Sequence, residues 1–456
     1  MEGNNLLVHL FNIFSLAHSF TNFGNVGFAD RAFVSVWNSP SAVCERKFGV
    51  ELDLSYFDIV ANQNDTFIGD EIVIFYGSRL GLYPKIGADG TFINGGLPQL
   101  ANITAHLLKL EQDVEHYMPN VGFNGLAVID WESWRPMFRR DYYNTGMRRY
   151  IRASEDLVRN KHPDWPKDKI REEAQKEFET AAREFIESTL VTCRKLRPHG
   201  YWGLYLFPNC YNRAEGQIHC SNATIQMNDK LGWMFHDSTS LFPSLYLSES
   251  RTHADRYDYV CGELKEALRV KKNYGSEYLP LIVPYSTYFY RGGQQKFYDL
   301  GDLNNTIQQV AEAGLNGIAL WGSSSWFRNA SDCTRLRDYL DSTLGPFIKN
   351  VTIKAWKCSK ELCNSHGRCY KTDWNYKSKT SDTLLFESSS NGLFREMIEN
   401  LMSTLSNAFR RMKKVVGYIT LEGINQEALR EKYPGFSCYC FQGWKGQFCK
   451  EKQFWS

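Results

Sequence analysis

At 456 residues the chain has room for one large domain, a smaller one and a buried core. Its 23% charged and 43% hydrophobic residues are those of an ordinary globular protein, not of a solvated low-complexity polymer. A formal charge of +2 excludes nucleic-acid binding through a global field, so any polyanionic partner must be met by local Lys and Arg.

The first element is an apolar stretch, Leu6 to Phe20, with Ala17 and Ser19 where small residues precede a signal-peptidase cut. Residues 1–19 are therefore expected to be a cleaved signal peptide. The competing reading is a buried N-terminal helix, because Glu2 stands where a basic residue is usual and Asn12 interrupts the run. No later run reaches the length of about 18 apolar residues that a membrane span needs.

Strands are expected at Phe33–Asn38, Ile72–Tyr76, Leu126–Glu132, Trp202–Phe207, Leu241–Leu247, Leu279–Tyr285 and Gly317–Trp321. Each is nearly continuous in aliphatic and aromatic residues, as parallel strands buried on both faces are. Helical spacing separates them. From Glu172 to Leu196 it runs through Ala174, Phe178, Ala181, Phe185, Leu190 and Cys193, and Pro198 stops it. Leu303–Ala313 and Arg335–Leu344 read similarly. This alternation predicts an α/β fold, a distorted (β/α) TIM-like barrel over about residues 30–350.

From Cys358 the character changes. The spacing Cys358-x4-Cys363-x5-Cys369, then Cys438-x-Cys440-x8-Cys449 with Gly443-Trp444-Lys445-Gly446, resembles a small C-terminal disulfide-rich EGF-like module over 356–450. A long insertion, about 370–437, parts its third and fourth cysteines. It holds Ser388–Ser390 and an amphipathic helix near Leu393–Met412, with Met397, Leu401 and Leu405 inward. The module either braces the barrel or meets a partner.

The twelve cysteines, even in number and without metal-type spacing, read as six disulfides made in an oxidising compartment. Six glycosylation sequons, at Asn64, Asn102, Asn222, Asn304, Asn329 and Asn350, agree with a secreted, extracellular protein, lysosomal residence being the alternative. Aromatics make up 14% of the chain, a density found in carbohydrate grooves and equally in large aromatic cores.

The chemistry is concentrated in Phe123-Asn124-Gly125-Leu126-Ala127-Val128-Ile129-Asp130-Trp131-Glu132-Ser133-Trp134-Arg135-Pro136. An apolar strand ends in two carboxylates two residues apart, on one side of the chain and roughly 6.5–7 Å apart along it. The carboxyl end of a barrel strand opens on the face that holds active sites. Two neighbours on one strand cannot straddle a glycosidic bond as paired carboxylates usually do. They suit a different division: Glu132 protonates the leaving oxygen, and Asp130 hydrogen-bonds an N-acetyl group that acts as the nucleophile. Close like charge should keep one of them protonated. The bland alternative is a pair of strand-end carboxylates capping the next helix.

The string Asp130-Trp131-Glu132-x-Trp134-Arg135-Pro136 resembles the active-site signature of the animal hyaluronidases, venom and sperm types included. So do Phe75-Tyr76 with Arg79-Leu80-Gly81-x-Tyr83-Pro84, and Asn94-Gly95-Gly96-Leu97-Pro98-Gln99. Further matches are Trp202-Gly203-Leu204-Tyr205, Cys210-Tyr211-Asn212, Pro243-Ser244-Leu245-Tyr246 and Leu320-Trp321-Gly322. They run in order over nearly the whole chain after the leader.

The resemblance implies a secreted endo-β-N-acetylhexosaminidase that hydrolyses hyaluronan by a retaining, substrate-assisted mechanism. Chondroitin is the alternative substrate. Glu132 would be the general acid/base and Asp130 would orient the acetamido arm. Tyr205 and Tyr246 would hydrogen-bond that arm, Trp321 would wall the pocket for its methyl, and Tyr76 and Arg135 would support substrate and carboxylates. The resemblance also implies the pairs Cys44–Cys333, Cys210–Cys220, Cys358–Cys369, Cys363–Cys438 and Cys440–Cys449. Cys193 and Cys261 lie outside that pattern, and pairing them, across two barrel helices, is the economical completion. Glu263 stands where the family commonly carries an Arg beside the groove. It either turns to pair with Lys265 or another cation, or faces the groove and retunes a subsite.

Other chemistries find no support. His-Glu-x-x-His and Gly-x-Ser-x-Gly strings are absent and the ten histidines are scattered, so neither a metal nor a cofactor is expected. A monomer is expected, with a glycosaminoglycan substrate as its partner. A non-catalytic lectin on the same scaffold is the rival from another class, and it leaves the intact Asp130–Glu132 pair unexplained. An adhesion protein working through its tail would leave the barrel residues unexplained.

Overall fold

Short runs that are apolar at consecutive positions can be buried on both faces, and such runs supply most of the strands. The computed structural model of the chain describes residues 28–60, 67–142, 146–275, 280–291, 296–374 and 430–453. In chain order the strands are β1 (Val34–Asn38), β2 (Ile59–Val60), β3 (Ile72–Tyr76), β4 (Leu126–Asp130), β5 (Tyr201–Leu204), β6 (Ser240–Leu241), β7 (Leu281–Ile282), β8 (Tyr285–Ser286) and β9 (Gly317–Trp321). These pair in parallel; a separate antiparallel pair joins Lys85–Ile86 to Phe92–Ile93. The order β3–β4–β5 continues to β6 through a bridge between Tyr205 and Phe242, and β6 pairs with β7. A bridge from Ser244 to Tyr285 joins β8, which leads on to β9, β1 and β2. Gly203 in β5 lets this crowding happen, because a Cβ there would lie 2.0 Å from the Ser240 carbonyl oxygen.

Alternate residues of each strand enter different cores, as a period of two requires. Val73, Phe75, Ala127, Ile129, Ile318 and Leu320 pack outward with the helices. Val34, Val36, Ile72, Ile74, Leu126, Val128 and Ala319 form a second core made almost wholly of strand residues. Tyr76, Tyr205, Tyr246 and Trp321 lie against one part of that inner core.

The named helices are α1 (Ile103–Tyr117), α2 (Lys167–Leu196), α3 (Gly232–Asp237), α4 (His253–Tyr274), α5 (Ala330–Tyr339) and α6 (Gly345–Leu362). Helix α2 begins five residues before the expected start, directly after Pro166. It buries Ile170, Ala174, Phe178, Ala182, Phe185, Leu190 and Cys193. It stops at Arg197, which leaves the helical region at φ −136 and ψ 78 just ahead of Pro198. The expected Leu303–Ala313 helix runs from Leu300 to Glu312 with a π-helical stretch at Asn304–Gln308. Among the described residues no helix is long and apolar enough to cross a membrane.

Strand boundaries differ where ladders give way to single bridges. Tyr205 and Ser244 each keep one bridge beyond β5 and β6, so the expected Trp202–Phe207 and Leu241–Leu247 strands shorten. The expected leader at 1–19 and the helix near Leu393–Met412 lie outside the described residues, as does Asn64. Of the other sequons, Asn102, Asn222 and Asn329 are exposed, and Asn304 and Asn350 are half-buried within helices. Asn102 and Asn329 also cap α1 and α5, accepting the backbone N–H of Ala105 and Asp332.

Five disulfides are formed: Cys44–Cys333, Cys210–Cys220, Cys358–Cys369, Cys363–Cys438 and Cys440–Cys449. The sixth expected bond is not. Cys193 on α2 and Cys261 on α4 are buried thiols, because both helices pack on α3 instead of closely on each other. Burial pushes the Cys193 thiol far up, which makes it inert. We expect native protein to resist alkylation at both positions, and denaturant without reductant to expose two thiols that peptide mapping assigns to Cys193 and Cys261. A disulfide-linked Cys193–Cys261 peptide would contradict this.

In the tail, β10 (Gly367–Lys371) pairs antiparallel with β11 (Phe436–Cys440), and Trp444–Lys445 pairs with Glu451–Lys452. Buried Arg368 fastens it to the body by donating to the Ala29 carbonyl at 2.7 Å. The Tyr257 hydroxyl donates to the Trp374 carbonyl at the same distance.

Candidate active site

The Asp-Trp-Glu-x-Trp segment is positioned by its tryptophans. Trp131 and Trp134 stack on the ring of Tyr83 at 4.7 and 5.3 Å, and Trp134 donates its indole N–H to the Pro84 carbonyl at 2.8 Å. Phe185 of α2 closes over both rings. Tyr83 is held there by the turn at Gly81, which sits at φ +61 where an added Cβ would strike the buried His106 ring. Thus the Arg-Leu-Gly-x-Tyr-Pro string is the seat for the carboxylate segment, and its tryptophans are anchors that leave Glu132 facing out.

Strand β4 ends at Asp130, so Glu132 lies beyond it and not on the same pleat, as the longer expected strand would have had it. The two carboxyls are nevertheless neighbours. Asp130 is largely buried, and its carboxyl is pushed up to about 7, by burial first and then by the Glu132 charge, with Arg135 pulling the other way. Its buried Oδ1 has no hydrogen-bond partner among the described residues. Glu132 is 53% exposed and meets the buried Arg135 guanidinium at 3.4 Å. Like charge does raise one member of the pair, and burial decides that it is Asp130.

The aromatic residues converge from other strands. Tyr76 ends β3 in register with Asp130, and its hydroxyl accepts the Trp321 indole N–H at 3.3 Å. Trp321 ends β9 and stacks on the Tyr246 ring at 6.3 Å, and Tyr246 lies 6.3 Å from the ring of Tyr205. The Tyr205 hydroxyl donates to Ser244 Oγ at 3.2 Å. Burial pushes Tyr205 up to about 12 and Tyr246 well above the ordinary phenol value, so both remain neutral donors. The two carboxyls and five supporting side chains named from sequence therefore gather at the carboxyl ends of the parallel strands. Three neighbours escaped the sequence reading: Ser244, Phe67, which stacks parallel to Trp321, and Arg291, which sits over Tyr246. Ser244 was legible in principle, two residues before Tyr246 in a quoted motif. Phe67 and Arg291 carry no sequence signal.

Glu263 corrects both readings given for it. It is 1% exposed on α4, and its Oε2 accepts the Cys210 backbone N–H at 2.9 Å. It neither pairs with Lys265 nor faces a groove; it holds the loop after Tyr205 from within. Burial pushes its carboxyl up to about 8.

Elsewhere, His253, Asp299 and Asp302 gather at an open groove of about 1000 Å³. Each His253 nitrogen faces one of these carboxylates at 3.2 Å, and Asp302 also holds Arg256, Tyr290 and Asn305. The cluster is a closed network of ion pairs and hydrogen bonds, not an open set of ligands.

Comparison with known proteins places this geometry. Residues 25–453 match the profile of a glycoside hydrolase family described as Hyaluronidase. Hyaluronidase-1 of Cerastes cerastes is 36% identical over 431 residues, 93% of this chain and 91% of that one. The hyaluronidase of Crotalus adamanteus is 35% identical over 433 residues, with the same coverage. Bee venom hyaluronidase, solved in complex with a hyaluronic acid tetramer, superposes with a TM-score of 0.65 at 34% identity, over 70% of this chain and 99% of that one. With its carboxylate pair, aromatic ring and disulfides on a shared scaffold, this chain belongs to the hyaluronidase family of glycoside hydrolases.

Proposed function

We propose that the protein is a secreted enzyme that hydrolyses hyaluronan between its N-acetylhexosamine and uronate residues. The carrying observation is the largely buried Asp130 beside exposed Glu132, ringed by Tyr76, Tyr205, Tyr246 and Trp321. We read the parallel strands, with their separate inner core, as a distorted (β/α) barrel over about 30–350, and the tail as an EGF-like module with a long insertion. Exposed Asn102, Asn222 and Asn329 are the sequons best placed to carry glycans.

An N-acetyl sugar seated against Trp321 presents its acetamido N–H to Asp130 and its carbonyl oxygen to the anomeric carbon. Accepting the acetamido N–H favours the ionised form of Asp130, so its proton passes to neighbouring Glu132. As the acetamido oxygen bonds to the anomeric carbon, the glycosidic bond breaks and the leaving oxygen takes that proton from Glu132. The positive charge that develops on the acetamido group is stabilised by Asp130 and by the phenols of Tyr205 and Tyr246. Water then attacks the anomeric carbon from the vacated side, Glu132 takes its proton, and the acetamido group is restored. Arg135 holds Glu132 in place throughout.

The experiment is digestion of purified hyaluronan and chondroitin side by side, with the new reducing ends identified. Hyaluronan should be cut faster, leaving N-acetylglucosamine at the reducing end. Folded protein that binds hyaluronan but cuts neither polymer would make it a lectin. Preference for chondroitin would make it a chondroitin hydrolase.

A further inference from the structure

Arg291 lies just past the strand run that carries β8, at the edge of the site. Its backbone N–H donates to the Leu247 carbonyl at 2.8 Å, and it bridges to Ser248, so it is tied to the segment bearing Tyr246. Its exposed guanidinium stands over the Tyr246 ring, 4.5 Å from the centroid. Lys296 pairs with Glu249 at 3.1 Å, and Arg251 donates to the Arg213 carbonyl at 2.5 Å. Among the described residues no carboxylate lies within ion-pair distance of Arg291, and Glu263 is turned inward.

We propose that Arg291 is a substrate-binding residue, the receptor for the carboxylate of the uronate next to the N-acetyl sugar in the pocket. The polymer alternates the two sugars, so an acetamido group walled by Tyr246 and Trp321 has a carboxylate one sugar away. A guanidinium resting on the outer surface of that wall is where this charge passes. Stacking on the phenol ring limits the rotamers of Arg291 and leaves its planar fork open for two parallel hydrogen bonds. The proposal rests on the hyaluronan reading and on Tyr246 as part of the acetamido pocket.

The test uses the full chain with hyaluronan oligosaccharides and the same oligosaccharides carboxyl-reduced, glucuronate becoming glucose. Arg291→Gln should raise KM for hyaluronan roughly tenfold at low ionic strength, with kcat changing much less and KM less dependent on salt. Arg291→Lys should retain most of the salt dependence. On the carboxyl-reduced substrate the KM of Arg291→Gln should match wild type within about twofold. An equal rise in KM on both substrates would overturn the proposal, since Arg291 would then act through the Tyr246 ring and not on the carboxylate. Wild-type protein that cuts neither substrate would instead defeat the hyaluronan reading on which it rests.

Discussion

Glu132→Gln should lower kcat on hyaluronan by at least ~100-fold, the usual worth of a positioned general acid, with KM little changed. The amide keeps the shape and its contact with Arg135 but has no acidic proton for the leaving oxygen. Folding should be nearly indifferent. Glu132 is 53% exposed and its ion pair with Arg135 spans 3.4 Å, so stability should move by no more than about 0.5 kcal/mol. Circular dichroism and a melting curve beside the kinetics separate the two effects. Near-wild-type turnover in a folded variant would remove Glu132 from the mechanism.

Asp130→Asn should cost about 10²–10³-fold in kcat, the scale seen when a group that stabilises developing charge is removed. It should also change the pH dependence. Asp130 keeps its proton up to about 7, so the pair carries one proton below that and loses it above, and wild-type kcat/KM should fall as pH rises through about 7. Stability follows the same group. The folded state holds this proton up to about 7, whereas the unfolded chain releases it near 3.8. Between those values the folded form binds more protons, and stability declines as pH rises through the window. Asparagine cannot titrate, so the variant's decline should be shallower, the remainder coming from buried Glu263, whose carboxyl is also pushed up. Thermal melts of both proteins across pH 4 to 8 decide the matter, and identical pH dependences would mean that Asp130 is not the titrating group.

What the sequence disclosed follows from which physics is local. Ile72–Tyr76, Leu126–Asp130 and Gly317–Trp321 are strands buried on both faces, so their continuous apolar runs announced them. The two-residue β2 at Ile59–Val60 is too short to make a pattern. Asp130 and Glu132 were legible because charges ending an apolar run are conspicuous. Which of them keeps the proton was not, because burial among side chains of other strands, Tyr76, Tyr205 and Tyr285, decides it. Pairing Cys193 with Cys261 followed from an even count, and counting carries no distance. Residue type on a helix shows a charge but not its direction, so Glu263 could be assigned to a groove while it bonds a backbone amide inside. Arg291 meets Tyr246 through strand pairing between distant segments, which no local spacing encodes.

The anomeric configuration of the first product tests the account most directly. A carboxylate pair that delivers one proton and steers an acetamido oxygen inverts the anomeric carbon twice, once by that oxygen and once by water. Proton NMR during the first minutes of hyaluronan digestion should therefore show the β anomer of the new reducing end appearing first, with the α form growing in later by mutarotation. An α anomer that appears first would mean a single displacement by water, and would contradict the substrate-assisted mechanism assigned to Asp130 and Glu132.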